Sequence, residues 1–305
     1  MRSRACRFTT VAVAMLAIVA VLTASSNSYA GGGGKIEQAR KRVRQSDHRS
    51  STNSSSHRER SRSDDDDSRH GDDDDVLDSF LATIALYTLT APFWAPHVAL
   101  GDDFDATAFF PAYPYAKGAD GSLRITGRGG LTEREASARD DLKPWSARLG
   151  IQDSYDFDGV NRLAGSFRLD TYLRLGLSTD WVWLYEDLKG GRADRLVLGD
   201  ANLLYRFAQH ERVQFFTGLG GRLMTDKVGT EGGVNFTYGF EIFPIEPLAI
   251  SATVDMGGLG ETFLFHGRAA VSAIVNRCEL HGGYDYLAIG GVSFHGPVFG
   301  VRVWF

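Results

Sequence analysis

The chain has 305 residues, 43% of them hydrophobic, with a formal net charge of -5. That acidic balance argues against a nucleic-acid partner, which would need a basic face. Two cysteines, Cys6 and Cys278, exclude a disulfide scaffold, and no CxxC, HExxH or GxSxG arrangement is present.

Residues 1–30 read as a secretory signal peptide. Arg2, Arg4 and Arg7 precede an apolar run from Val11 to Leu22, and Ser28-Tyr29-Ala30 places small residues at the cleavage positions. The run is short for a membrane span; an uncleaved anchor is the alternative. Cleavage would remove Cys6 and three arginines, taking the net charge from -5 to -8.

Residues 31–75 are predicted to be a disordered, charged, low-complexity linker. Lys35 to Asp75 is almost free of apolar residues, basic through Arg62 and acidic in Asp64–Asp67 and Asp72–Asp75. Such a segment buries too little surface to offset its ordering entropy. Unfolded aspartate runs do not preorganise a coordination shell, so no metal site is assigned there.

Residues 76–97 are predicted to be a short amphipathic helix. Leu77, Phe80, Leu81, Ile84 and Leu86 have helix-compatible spacing. Thr83, Thr88, Thr90, Pro92, Pro96 and His97 make the uncharged stretch Ser79–Ala99 a poor spanning helix. Residues 98–143 read as an irregular connector. Its aromatic run Phe109-Phe110-Pro111-Ala112-Tyr113-Pro114-Tyr115 is broken by prolines and is not expected to form a central strand.

From residue 144 to 305 the pattern becomes alternating strands. The segments are Trp145–Asp156, Arg162–Asp170, Tyr172–Glu186, Asp194–Ala208, Arg212–Thr225, Gly233–Phe243, Leu248–Gly257, Phe263–Val275, Cys278–Ala288 and Val298–Phe305. Tight turns are expected around Thr171, at Gln209-His210, at Pro244–Pro247 and at Asn276-Arg277. Between them fall longer Gly-rich connections, and that alternation is the organisation of an up-and-down barrel. A hairpin centred on Thr171 would set Arg168 opposite Arg174, an unfavourable like-charge pair.

One parity of these strands is apolar, as in Leu149 and Ile151, Leu203, Leu219, Val234 and Val271. The other carries Arg148, Arg168, Arg174, Asp200, Arg206, Arg222, Glu241, Arg268, Glu279, Asp285 and Arg302. Charges that close into an interior must pair or stay hydrated, so these eleven are assigned to a salt-bridged lumen network. If Asn276-Arg277 is a two-residue turn, Val275 opposes Cys278 and Arg268 opposes Asp285. Outward aromatics gather near strand ends: Trp145, Tyr205, Phe207, Phe240 and Phe305 at one end, and Tyr155, Trp181, Trp183, Phe263, Tyr284 and Tyr286 at the other.

The segment Phe299-Gly300-Val301-Arg302-Val303-Trp304-Phe305 alternates to its last residue. Its pattern Gly300-x-x-Val303-x-Phe305 resembles the insertion signal in the last strand of bacterial outer-membrane β-barrel proteins. The resemblance implies that Gly300, Val301, Val303 and Phe305 act as that signal, that barrel-assembly machinery handles the chain, and that it resides in the outer-membrane bilayer.

The predicted fold is therefore all-β: an antiparallel up-and-down transmembrane β-barrel of about ten strands, preceded by a disordered linker and a short α-helix. The expected role is structural or binding, with a charge-plugged lumen, long loops outside and a tether in the periplasm. Alternatives are an enzyme at the rim, a narrow pore, and a secreted soluble lipocalin-like or sandwich protein. The one acidic–histidine pair suited to rim chemistry is Asp255 with His266, set against the reading of His266 as a satisfied member of the charge network. No catalytic residue, cofactor, metal ligand or small-molecule ligand is assigned.

Overall fold

A computed structural model describes residues 34–45, 90–127, 131–188 and 192–305. The signal peptide, most of the charged linker and the first part of the 76–97 helix lie outside these residues.

Helix α1 spans Lys35–Arg44 and α2 spans residues 90–100. Then come β1 (Ala108–Pro111), β2 (Arg124–Ile125), the short helix α3 (Glu133–Ser137) and β3 (Leu142–Lys143). Thr132 and Glu135 form a capping box at the start of α3. Strands β1–β3 form a small sheet in the order β2-β1-β3. The connector is thus ordered, and its aromatic run supplies the middle strand. Pro111 is tolerated there because it is the last residue of β1 and pairs only with β3.

Ten further strands follow: β4 (Trp145–Tyr155), β5 (Val160–Thr171), β6 (Leu175–Leu188), β7 (Arg192–His210) and β8 (Val213–Thr225). The rest are β9 (Thr230–Ile245), β10 (Leu248–Leu259), β11 (Thr262–Val275), β12 (Cys278–Ile289) and β13 (Val292–Trp304). Each pairs antiparallel with its sequence neighbour, and β13 pairs with β4 through Val301↔Ile151 and Val303↔Leu149, closing a ten-stranded barrel. Val275 pairs with Cys278 and Arg268 with Asp285, the register expected from the two-residue turn.

The doubtful turn exists, but it lies at residues 172–174 and not on Thr171. Arg174 takes a left-handed conformation (φ 66°), and Arg168 faces Ser178 across the hairpin. The like-charge pair expected from a Thr171-centred turn is therefore avoided.

The expected contrast in connection length is much smaller than the sequence suggests, two or three residues on one rim against two to four on the other. At the rim where β4 begins, here the proximal rim, the linkers span residues 172–174, 211–212, 246–247 and 276–277. At the opposite, distal rim the described ones span residues 156–159, 226–229, 260–261 and 290–291. The Gly-rich stretches read as loops continue the strands instead. Gly257 and Gly258 pair with Leu264 and Phe263, and Val292 pairs with Ile289. Glycine at positive φ in Gly260, Gly290 and Gly291 then closes the turns in two residues.

The apolar parity points outward. Leu203, Leu219, Val234 and Phe299 are 62%, 64%, 68% and 66% exposed. The aromatic ends follow the same face: Trp145, Tyr205 and Phe305 are exposed proximally, and Tyr155, Trp181, Phe263 and Tyr284 distally. Phe207 departs from the expectation, because it is buried with Ala208, Val213 and Phe215, with Leu100 packed against them. A bulge in β7 between Tyr205 and Ala208 accompanies the change of register.

Candidate functional site: the lumen and the distal mouth

The inward charges form connected layers. At the proximal level, Arg148 donates to Glu241 (2.6 Å) and Arg168 to Asp170 (2.9 Å), while Gln214 also donates to Glu241. The Arg148 guanidinium lies 4.4 Å from the Trp304 ring centroid, and that of Arg168 3.9 Å from Phe216. Arg206, fully buried, donates to Gln209 and to the Thr171 carbonyl. At the same level Glu279, just past the 276–277 turn, accepts from Arg302 (2.8 Å) and from the Trp304 indole (3.0 Å); midway, Arg222 meets Asp200 (3.4 Å).

Asp285 is the hub of the distal layer. It accepts from Arg162, from Arg268 (3.0 Å) and bonds to His266 Nε2 (2.9 Å). Arg162 and Asp285 are 1% and 2% exposed, and Arg162 depends on Asp285 for compensation.

Ten of the eleven network residues meet inside the barrel; Arg174 does not. It sits in the 172–174 turn and grips the connector, donating to both Asp102 oxygens (2.7 and 2.8 Å) and to the Ala106 and Asp103 carbonyls. Three members were missed. Arg162 begins a strand beside a Gly-rich stretch and reads as rim; Asp170 ends the same strand. Asp180 stands between Thr179 and Trp181 in β6, with no cation in that strand to mark it as part of a charge network. Only the barrel's closure brings Arg162 beside Asp285, 123 residues away.

Asp255 and His266 do come together. They are register partners with His266 Nδ1 3.9 Å from Asp255 Oδ2. Thr237 donates to Asp255 (2.6 Å), and His266 is 7% exposed. The pair lies within the charge network, below an apolar layer.

That layer was not legible as inward-facing. Towards the distal rim the inward parity turns apolar: Leu184, Leu196, Leu198, Leu264, Leu287 and Phe294 are buried together. Helix α1 lies on them through Ile36, Ala39 and Val43, each fully buried at positions i, i+3 and i+7. Burying the Ile36 and Val43 side chains is worth roughly 1.5–3 kcal/mol apiece. The linker reading thus fails for these ten residues, and their location differs too: α1 occupies the distal mouth, opposite the rim carrying the connector. Two lone apolar residues among charges give little sign of order by composition. Their spacing, with Ala39 between, is the signal that could have found the helix.

Every cation on the mouth-facing side of α1 has a carboxylate partner. Lys35 Nζ bonds Asp156 (2.8 Å) and Asp158; Arg40 bonds Asp194 (2.8 Å) and Asp226; Arg44 bonds Asp226 (2.8 Å) and Glu231 (3.3 Å). The helix backbone is held as well. Glu186 accepts from the N–H groups of Lys35 (2.8 Å) and Ile36 (3.0 Å), and Glu261 N–H donates to the Val43 carbonyl (2.9 Å). These contacts satisfy orphan groups at both helix ends.

Burial pushes the Asp226 carboxyl up, but the Arg44 guanidinium and the Val228 and Gly229 N–H groups outweigh it, leaving its pKa well below the usual carboxylate range. Burial of Lys35 works to lower its pKa, yet Asp156 and Asp158 raise it overall. A depressed carboxylate stabilises the seated helix above its unfolded pKa and loses that contribution as pH falls through the depressed value. Protection of the 36–44 amides in hydrogen exchange, corrected for intrinsic rates, is therefore expected to stay flat from pH 8 to about pH 4 and to fall only in stronger acid. Loss of protection already at pH 6 would contradict this.

The proximal rim is covered by the connector. Tyr115 packs with Phe243, Ala249, Ile274 and Trp304 and donates to the Leu248 carbonyl (2.5 Å). Burial, with a smaller push from Glu246 against Arg212, raises its hydroxyl pKa to about 12. Ala108 N–H donates to the Tyr172 carbonyl (3.3 Å), joining β1 to the barrel base.

No family model and no curated protein matches the chain. Among solved structures, it is similar to Neisserial surface protein A (NspA), at 15% identity over 53% of this chain and 96% of that one, with a TM-score of 0.27. It is also similar to Ail, the attachment invasion locus protein of Yersinia pestis (10%, 53% and 96%, 0.27). A third is the KdgM porin (11%, 52% and 99%, 0.26). Likenesses this loose carry no weight for function, which rests on the residues.

Proposed function

We propose that this chain is a bacterial outer-membrane β-barrel that does not conduct ions and acts through its rims in a structural or binding role. The observation that carries the reading is the inverted barrel: apolar side chains form the outer surface and charged ones the filled interior. A soluble barrel or sandwich would bury the first set and expose the second. Strands of 11 to 19 residues reach or exceed the roughly 9–11 needed to span a bilayer. Residues 1–30 would serve as the export signal, and the connector at the proximal rim would face the periplasm. Membrane fractionation with heat-modifiability on a gel tests this reading. The expected result is an outer-membrane protein whose mobility changes on boiling; a soluble protein with unchanged mobility would overturn it.

The filled lumen supports the absence of conduction. Two cavities, of about 20 and 90 Å³, lie among the charged side chains, room for about one water and a handful of waters. Planar-bilayer recording of the purified protein is expected to show no conductance steps. Regular steps would favour the narrow-pore reading.

Gly300, Val301, Val303 and Phe305 are proposed as the insertion signal read by the assembly machinery. Phe305→Ala is expected to reduce the heat-modifiable fraction in membranes and enlarge the unfolded pool. An unchanged ratio would remove this assignment.

A further inference from the structure

We propose that the last turn of α2, with Phe104 just beyond it, is a lipid-binding surface outside the barrel, seated in the proximal leaflet of the bilayer. The inference rests on the membrane reading and extends it, because contact with phospholipid is then not confined to the strands.

The outer wall supplies the first observation. Val213 and Phe215 share the parity of Leu219 along β8, and Leu219 is 64% exposed. Their ladder partners are Ile242 and Phe240, on the apolar parity of β9. Val213 and Phe215 are nevertheless only 4% and 3% exposed. Leu100 packs on the cluster that they form with Phe207 and Ala208. Asp102, two residues further on, is fixed at the proximal rim by Arg174 and the Gln209 N–H. Between Asp102 and Leu100 the chain therefore passes from the rim onto the wall that faces lipid elsewhere.

The second observation is what this anchored segment presents. Val98 and Phe104 are 66% and 61% exposed. His97 stacks on the Phe104 ring, with 3.7 Å between centroids and 20° between planes, which fixes that ring in place. Large apolar side chains held out beside a lipid-facing wall continue that wall. No Asp, Glu, Lys or Arg occurs from Ser79 through Gly101, whereas a surface for a protein partner carries a polar rim. Asp105 is exposed beside Phe104, and a carboxylate there keeps the ring at headgroup level, above the hydrocarbon core. The partner that fits is phospholipid, with acyl chains against Val98 and the interfacial region beside Phe104.

The test uses the full chain with Cys6→Ser and Cys278→Ser, reconstituted in phosphatidylcholine vesicles. Val98→Cys, Phe104→Cys, Leu219→Cys and Asp140→Cys variants each carry one nitroxide label. Power saturation compares access to oxygen, which concentrates in lipid, with access to a water-soluble nickel chelate. Leu219 on the bare wall is the lipid reference, and Asp140, exposed in the connector, is the water reference. All four positions are exposed, so folding is expected to survive, and heat-modifiability checks it. The oxygen-to-nickel ratio at Val98 and at Phe104 is expected to exceed that at Asp140 at least about threefold. A smaller excess at either position would overturn the proposal while leaving the barrel in lipid. So would a label screened from both reagents, which would mark a protein cover such as a second copy of the chain. A water-like ratio at Leu219 would instead overturn the membrane reading itself.

Discussion

Asp285→Ala is expected to destabilise the barrel by about 3–5 kcal/mol, the cost of leaving buried charges without their counter-ion. The substitution strips Arg162, Arg268 and His266 of a shared partner at once. Arg268 retains Asp180 at 3.8 Å and His266 retains Asp255 at 3.9 Å, but Arg162, 1% exposed, has no second carboxylate among the ion pairs of the described residues. Urea unfolding followed by heat-modifiability would measure the loss. Removing the orphaned cation as well, in Asp285→Ala/Arg162→Leu, is expected to recover a substantial part of it, because replacing both partners is less costly than stranding one. If the double variant is no more stable than the single one, Asp285 supports the barrel by some route other than this pair.

The second large effect is expected at the proximal rim. Arg174→Ala removes two bonds to Asp102 and two to connector carbonyls. It leaves a carboxylate that is 1% exposed with the Gln209 N–H at 3.0 Å as its remaining hydrogen bond. The predicted outcome is release of the connector and not collapse of the barrel, since among the described residues the only strand group the Arg174 side chain bonds is the Arg206 carbonyl, at 3.5 Å. Limited trypsin digestion is expected to cut at Lys117, Arg124 or Arg134 many times faster than in the wild type, while the core stays heat-modifiable. Arg174→Lys should restore little, because an ammonium cannot make the paired contacts of a guanidinium fork. Unaltered digestion in Arg174→Ala would show that β1 and Tyr115 hold the connector by themselves.

How much of this could be read from residues alone depends on the distance over which each feature is set. Period-two alternation is local, and it placed ten strands, the inward and outward faces and the Arg268–Asp285 register. The turn near Thr171 was also within reach, though its centre was not, because a left-handed Arg174 leaves no mark in a sequence where glycine or asparagine usually signals positive φ. Loop length was misjudged for the same kind of reason. Glycine marks both loops and strand positions where backbones approach closely, and at Gly257 and Gly258 the second use holds. Composition misread α1, since disorder statistics weigh only apolar surface the segment can bury on itself. Its Ile36, Ala39 and Val43 bury against a surface supplied by residues more than a hundred positions away.

The sequence by itself determined a barrel with apolar side chains outside and charges within, because strand alternation assigns each side chain to a face before any contact forms. It also marked ten of the charges that had to find partners, since a closed interior tolerates none alone, while Arg162, Asp170 and Asp180 escaped it. Tertiary structure decided who those partners are and how the ends are covered. Arg162 meets Asp285, Arg174 leaves the lumen for Asp102, and a segment that looks like a tether seats in the distal mouth. Those choices depend on closure of the sheet, which brings together side chains that no local rule connects.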